Sequence, residues 1–224
     1  MTTHLFCGFD ERESPGFHVF VSSVLKRATK PVAIHALASM GLPEGSNSFT
    51  LSRFLLPWLM GFKGHAIFVD ASDMLMLGDV SELDALYDKK YAVQVVKHDD
   101  YSSQHERKYI GTEMECAQSN YSRKNWASVM IVNCEHSAWF GMTPNAITLK
   151  SPMQLLQFQE FLDSEIGELP KEWNVLVDEG QELNNAKILH WTAGIPTFAH
   201  YKNARASKDW HAQFDSMTLG MAHG

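Results

Sequence analysis

Short apolar runs alternate with amphipathic stretches along most of the chain. His4–Phe9 is apolar and ends at the charged cluster Asp10-Glu11-Arg12-Glu13, which predicts a buried strand followed by a loop. Phe17, Phe20, Val21, Val24 and Leu25 recur at helical spacing and predict a helix over residues 16–28. Pro31 closes that segment, and residues 32–37 read as a second strand. Leu51, Phe54, Leu55, Trp58 and Leu59 mark one helix face, which Pro57 kinks or restarts. Residues 64–69, 91–96, 129–132 and 188–191 are further strand candidates. Asp79 and Glu82 stand at capping-box spacing. Ser151-Pro152 predicts a helix start that Leu155, Phe158 and Leu162 continue, and residues 205–214 predict a terminal helix. Residues 97–125 are long, polar and irregular, and loops of that kind are usually functional or mobile. Alternation of strands and helices through residues 1–135 predicts an α/β fold, with a mostly parallel central sheet flanked by helices.

Composition narrows the partners. Lys plus Arg number 19 and Asp plus Glu 26, for a net charge of −7, which argues against nucleic acid as a partner. Three widely spaced cysteines without a CxxC argue against a zinc knuckle or a disulfide framework. With no basic-then-apolar leader and no long apolar run, the expectation is a cytoplasmic protein with no transmembrane segment. The 11 histidines make metal or acid–base chemistry worth seeking.

Common phosphate-loop, dinucleotide, serine-hydrolase and zinc-protease signatures are absent. Two local features carry chemistry. In Phe68-Val69-Asp70-Ala71-Ser72-Asp73, two carboxylates leave the end of an apolar strand, where open α/β sheets bind ligands and where Mg²⁺ or Mn²⁺ finds hard oxygen donors. A turn with one capping aspartate has the same spelling. In Leu189-His190-Trp191-Thr192-Ala193-Gly194, an imidazole ends another apolar strand. It is either a metal ligand or a core histidine.

Taken together, the motifs resemble those of nucleotide-sugar glycosyltransferases of the GT-A fold, close to glycosyltransferase family 8, the glycogenin and bacterial galactosyl- and glucosyltransferase group. Asp73-Met74-Leu75-Met76-Leu77-Gly78-Asp79-Val80 follows that family's text after its acidic motif. Thr50, Ser52, Arg53 and Pro57 echo its upstream helix. Trp126–Asn133 is similar to its NSGVMLINL strand, Leu169–Asn174 to its LPxxWN, and His190, Trp191 and Gly194 to its closing segment. The matches stand in order from residue 4 to about residue 198. Two departures stand out. The acidic motif is Asp-x-x-Asp rather than DxD, and the lysine that contacts the donor diphosphate is replaced by Ile195-Pro196-Thr197. Lys202, Arg53 or Lys97 are the cations that could take its place.

The resemblance implies one GT-A domain over residues 1–224, with a nucleotide-binding part at 1–135 and an acceptor side at 136–224. It implies a hexosyltransferase-like enzyme that moves a sugar from a nucleoside diphosphate sugar, such as a UDP-sugar, to a saccharide or glycoconjugate acceptor with retention. Asp70, Asp73 and His190 would hold Mn²⁺ or Mg²⁺. Cys7, Gly8, Phe9, Arg12 and Gly194 would bind the donor, and Arg53 would pair with the diphosphate or orient the acids. Asp99, Asp100 and Asp178 are acids that could face the acceptor, and Lys124-Asn125-Trp126 could line the sugar pocket. Trp173, Trp191 and Tyr201 either stack on a sugar or belong to the core. Two other readings use the same groups: a metal-dependent phosphohydrolase on Asp70, Asp73, His98 and His190, or a non-catalytic nucleotide-sugar binding module. Oligomeric state is left open.

Overall fold

The computed structural model describes residues 2–43, 45–98 and 101–218. Its strands are β1 (Thr3–Gly8), β2 (Val32–Leu37), β3 (His65–Val69), β4 (Met74–Met76), β5 (Val93–Val95), β6 (Arg107–Lys108), β7 (Cys116–Ala117), β8 (Val129–Asn133), β9 (Ile166–Glu168), β10 (Val175–Leu176) and β11 (Ile188–His190). Its α-helices are α1 (Ser14–Arg27), α2 (Leu56–Leu59), α3 (Val80–Asp84), α4 (Pro144–Thr148), α5 (Pro152–Leu156) and α6 (Ser207–Thr218).

Six strands form the central sheet in the order β2-β1-β3-β8-β5-β9. All run parallel except β8, which lies antiparallel to both β3 and β5. The strands read as near-continuous apolar runs because both faces of the sheet are covered. Successive residues point to opposite faces. Phe6, Ala66, Phe68, Val93 and Met130 therefore join one core layer, while Leu5, Cys7, Ile67, Val69 and Ile131 join the other. The second layer holds α1, which buries Gly16, Phe17, Val19, Phe20, Ser23 and Val24. A second sheet, β10-β11-β4, has Leu75, Leu189, Trp191 and Trp210 packed at its side.

Three expectations are revised. The segment at residues 51–59 is a 3₁₀ turn (Ser52–Leu55) followed by α2, with Pro57 in the first turn of α2. Proline fits there because the first-turn N–H has no helical partner. The helix begun by Ser151 has its full capping box with Gln154 but ends at Leu156. Phe158 takes a left-handed conformation (φ 52°) and turns into the core against Phe54 and Phe161, while Leu162 is exposed. Burying an aromatic ring here outweighs continuing the helix. At α3, Asp79 accepts a hydrogen bond from the Ser81 N–H, but Glu82 pairs with Lys187. The irregular stretch at residues 97–125 contains the short antiparallel ribbon β6–β7. Among the described residues, no helix is long and apolar enough to cross a membrane.

Candidate active site

The site lies where the two sheets meet. Asp70 follows the last residue of β3, and its N–H donates to the Ser128 carbonyl just ahead of β8 (2.9 Å). Ala71 then takes a left-handed conformation (φ 51°), and Met74 N–H closes the turn on the Ala71 carbonyl (3.0 Å). The extra residue of Asp-x-x-Asp is absorbed in this turn, which carries the chain from the central sheet into β4. There β4 pairs antiparallel with β11, His190 sits opposite Met74, and Trp191 N–H donates to the Asp73 carbonyl (2.9 Å). Two further contacts brace the turn. Ser72 Oγ donates to the Gly8 carbonyl (3.2 Å), and α1 approaches so closely that a Cβ on Gly16 would lie 1.9 Å from the Ser72 carbonyl oxygen.

Asp70, Asp73 and His190 are thereby brought together, all buried, with one ligand atom of each within 4.8 Å of the others. His190 Nε2 lies 3.3 Å from Asp73 Oδ2. On the far side of the ring, Nδ1 is 2.8 Å from Asn174 Oδ1. A side-chain amide oxygen only accepts, so Nδ1 carries a proton and Nε2 is the ring atom that faces the acids. Asn174 is itself fixed by donating Nδ2 to the Asn125 carbonyl (3.2 Å). Burial alone would lower the His190 pKa, but Asp73 beside it, with Asp70 and Asp178 beyond, raises it above the ordinary value.

Arg53 enters from the 3₁₀ turn before α2. Its Nη1 lies 2.7 Å from Asp70 Oδ1, close enough for charge pairing though not aligned as a hydrogen bond. It donates to the carbonyls of Thr50 (3.1 Å) and Ala127 (2.9 Å), and its guanidinium lies near the Phe49 and Phe68 rings. Burial pushes the Asp70 carboxyl up more than Arg53 pulls it down, and Asp73 adds to the rise. Asp70 Oδ1 and Asp73 Oδ1 are both buried without a hydrogen-bond partner. The unpartnered Asp73 oxygen, the Asp70 carboxylate held by Arg53 and the imidazole Nε2 form a mixed oxygen–nitrogen donor set that fits Mn²⁺ or Mg²⁺.

The three groups border a cavity of 260 Å³ that Arg53, Lys108, Tyr121, Lys124 and Asn125 also line. Other sequence candidates lie elsewhere. Cys7 points into the core because alternate residues of β1 face opposite sides, and Arg12 is clamped in a bidentate pair on Asp10 (2.8 and 2.6 Å). The Gly8 and Phe9 carbonyls accept hydrogen bonds from Ser72 and Ser48, and neither residue lines the cavity. Gly194 also lies off the cavity wall, against Tyr201, whose ring a Cβ would strike at 2.3 Å. Trp173, Trp191 and Tyr201 are buried, so they serve the core rather than a sugar face. Asp178 is off the cavity wall too, because its Oδ2 accepts the Ala193 N–H (3.0 Å) and holds the segment after His190. Asp99 and Asp100 lie outside the described residues. Of the substitute cations, only Arg53 reaches the cavity. Lys97 lies over the Trp126 ring and Lys202 on a separate surface hollow.

Asn174 is the last residue of the LPxxWN match, whereas no local pattern marks Lys108 or Tyr121 as residues of the cavity.

No protein-family model matches the chain. It is 34% identical over 222 residues to the protein CDI of Arabidopsis thaliana, an alignment covering 92% of this chain and 83% of the plant protein. Its structure is similar to that of the galactosyltransferase LgtC in complex with donor and acceptor sugar analogs, at a TM-score of 0.65 and 12% identity, with 96% of each chain covered. The bifunctional glycosyltransferase WbbM matches at a TM-score of 0.67 and 12% identity over 95% of this chain, which spans 49% of WbbM. The glycosyltransferase GlyE of Streptococcus pneumoniae matches at 0.63 and 14% identity over 96% of this chain and 60% of GlyE. The architecture is that of the GT-A glycosyltransferases, with a central mostly parallel sheet flanked by helices.

Proposed function

The chain belongs to the family of the Arabidopsis thaliana protein CDI, and from that premise and its GT-A fold we propose that it is a metal-dependent glycosyltransferase using a nucleoside diphosphate sugar, with UDP as the nucleotide. One observation carries the reading. In a fold shared with glycosyltransferases, buried Asp70, Asp73 and His190 line one cavity with their ligand atoms within 4.8 Å of one another, and Asp73 keeps a buried oxygen with no hydrogen-bond partner.

The chemical problem is a leaving diphosphate that gains charge as the glycosidic bond breaks. When bound, a divalent metal supplies Lewis-acid stabilisation of that charge. Asp70, Asp73 and His190 are the residues that would hold it. Asn174 keeps the imidazole in the tautomer that presents Nε2, a supporting role that metal-binding histidines commonly require. Arg53 offsets one of the two buried negative charges and orients Asp70. Asn125 lines the same cavity. Retention of configuration, Mn²⁺ as the ion, and a saccharide or glycoconjugate acceptor rest on the motif resemblance. A single domain, with the donor side in residues 1–135 and the acceptor side in 136–224, completes the reading.

Calorimetry with UDP, with and without Mn²⁺, tests it on the wild type and on Asp73→Asn. The expected result is UDP binding that requires Mn²⁺ and is lost in the variant. UDP binding indifferent to both the metal and the substitution would overturn the metal assignment. Phosphate release from UDP-sugars without acceptor would favour a phosphohydrolase.

A further inference from the structure

The cavity carries both signs of charge. Asp70 and Asp73 line it, and so do Lys108 and Lys124. Lys108 is carried by β6 of the two-stranded ribbon, and Lys124 by the segment that leads into β8. These two ammonium groups differ from the third cation of the cavity. Arg53 is already paired with Asp70 and tied to two carbonyls. Neither lysine has a carboxylate within ion-pair distance among the described residues. Lys108 lies against the Tyr109 ring at 4.9 Å, and Lys124 donates only to neutral acceptors, the Ser119 carbonyl (2.6 Å) and Asn120 Oδ1 (3.4 Å).

Holding these charges near each other is unfavourable without an anion. Lys124 is 5% exposed, and its burial, together with the positive charge of Lys108, pushes its pKa down to about 8, with Glu179 opposing only part of that shift. A group that must shed hydration and face a like charge is stabilised when an anion lies between the two. The acids limit which anion fits. A simple anion would be repelled by Asp70 and Asp73, whereas a chelating anion could bridge a divalent ion on the acids to the ammonium groups. The sequence after His190 supplies no lysine or arginine from Thr192 to Thr197, so that loop contributes no cation.

We infer that Lys108 and Lys124 bind the diphosphate of the ligand in the cavity that they line together with the Asp70–Asp73–His190 cluster. The nucleoside part of that ligand rests on the donor reading above, and the diphosphate part does not. The ribbon β6–β7 thereby becomes part of the binding site, in place of the loop after His190.

The test is calorimetry on the full chain with three probes, each with Mn²⁺: UDP, uridine and inorganic pyrophosphate. The proteins are wild type, Lys108→Met, Lys124→Met and Lys124→Arg. Charge-assisted hydrogen bonds are strong enough that each methionine variant should weaken UDP and pyrophosphate about tenfold or more, and leave uridine unchanged. Lys124→Arg should recover most of the loss. Undiminished UDP and pyrophosphate binding in both methionine variants overturns the inference, as does a wild type that binds neither. Lysine-dependent pyrophosphate binding with no added affinity for UDP keeps the inference and sinks the nucleotide-donor reading. Lys108 is partly exposed, so Lys108→Met carries the test even if Lys124→Met fails to fold.

Discussion

Asn174 Oδ1 sits 2.8 Å from His190 Nδ1, on the side of the imidazole away from the acids. That contact decides which ring nitrogen faces Asp70 and Asp73. Replacing Asn174 with leucine should weaken Mn²⁺ binding roughly 10–100-fold, while Asn174→Asp, which keeps an acceptor, should lose much less. Titration of metal-free protein with Mn²⁺, read by calorimetry, checks this. Equal losses in both variants would show that packing, not the tautomer, matters.

Arg53 and Asp70 form a buried pair, so removing only the cation leaves an uncompensated charge. Arg53→Met is expected to cost roughly 3–5 kcal/mol of stability. Arg53→Lys should cost less, because it keeps the charge but loses the contacts to the Thr50 and Ala127 carbonyls. Urea unfolding at neutral pH measures both. A change below 1 kcal/mol in Arg53→Met, on the order of a surface pair, would contradict the structure.

Glu13 is buried at the start of α1, and neither carboxylate oxygen has a hydrogen-bond partner. Burial, followed by repulsion from Asp73 and Asp10, raises its pKa well above the ordinary 4.5. The folded state therefore holds this proton more tightly than the unfolded state does. Its contribution to stability is complete below pH 4.5 and is lost as pH rises through the folded-state value. Glu13→Gln should consequently be more stable than wild type at pH 8, by about 1 kcal/mol or more, and the advantage should shrink toward pH 4. Thermal melts of both metal-free proteins across that range would show it. A constant difference between them would refute the assignment.

The close approach of α1 to the acidic turn leaves no room at Gly16. Gly16→Ala should destabilise the protein by about 1–3 kcal/mol through overpacking and weaken Mn²⁺ binding, since the obstruction is the Ser72 carbonyl between the two acids. A stable variant with intact metal affinity would mean the contact is looser than the structure shows.

Cys116 is partly exposed and lines the cavity, whereas Cys7 and Cys134 are buried. Burial pushes the Cys7 thiol far up and that of Cys134 up to about 12. Iodoacetamide on the native protein at pH 8 should add a single adduct at Cys116, because thiolate character and access govern the rate. UDP with Mn²⁺ should slow the reaction. Intact-mass and peptide mapping read both results, and rapid labelling of Cys7 would contradict the burial.

Much of the fold was legible in the chain because strands covered on both faces need unbroken apolar runs. Residues 4–9, 64–69 and 129–132 announce themselves that way, and α1 does so through its buried stripe. Asp70 and Asp73 were visible as acids leaving a strand, and His190 as an imidazole ending another. Local pattern failed where tertiary packing overrode it: Phe158 left its helix to fill the core, whereas Trp173, Trp191 and Tyr201 took the core alternative that their pattern left open. What no linear pattern could supply was adjacency. The pairing of β4 with β11 brings His190 beside Asp73, the left-handed turn at Ala71 fits the longer acidic motif, and the β6–β7 ribbon carries Lys108 to the same cavity. Apolar periodicity is a local property set by burial, whereas a site of three acid–base groups and two lysines depends on strand order and register, which only the closed structure specifies.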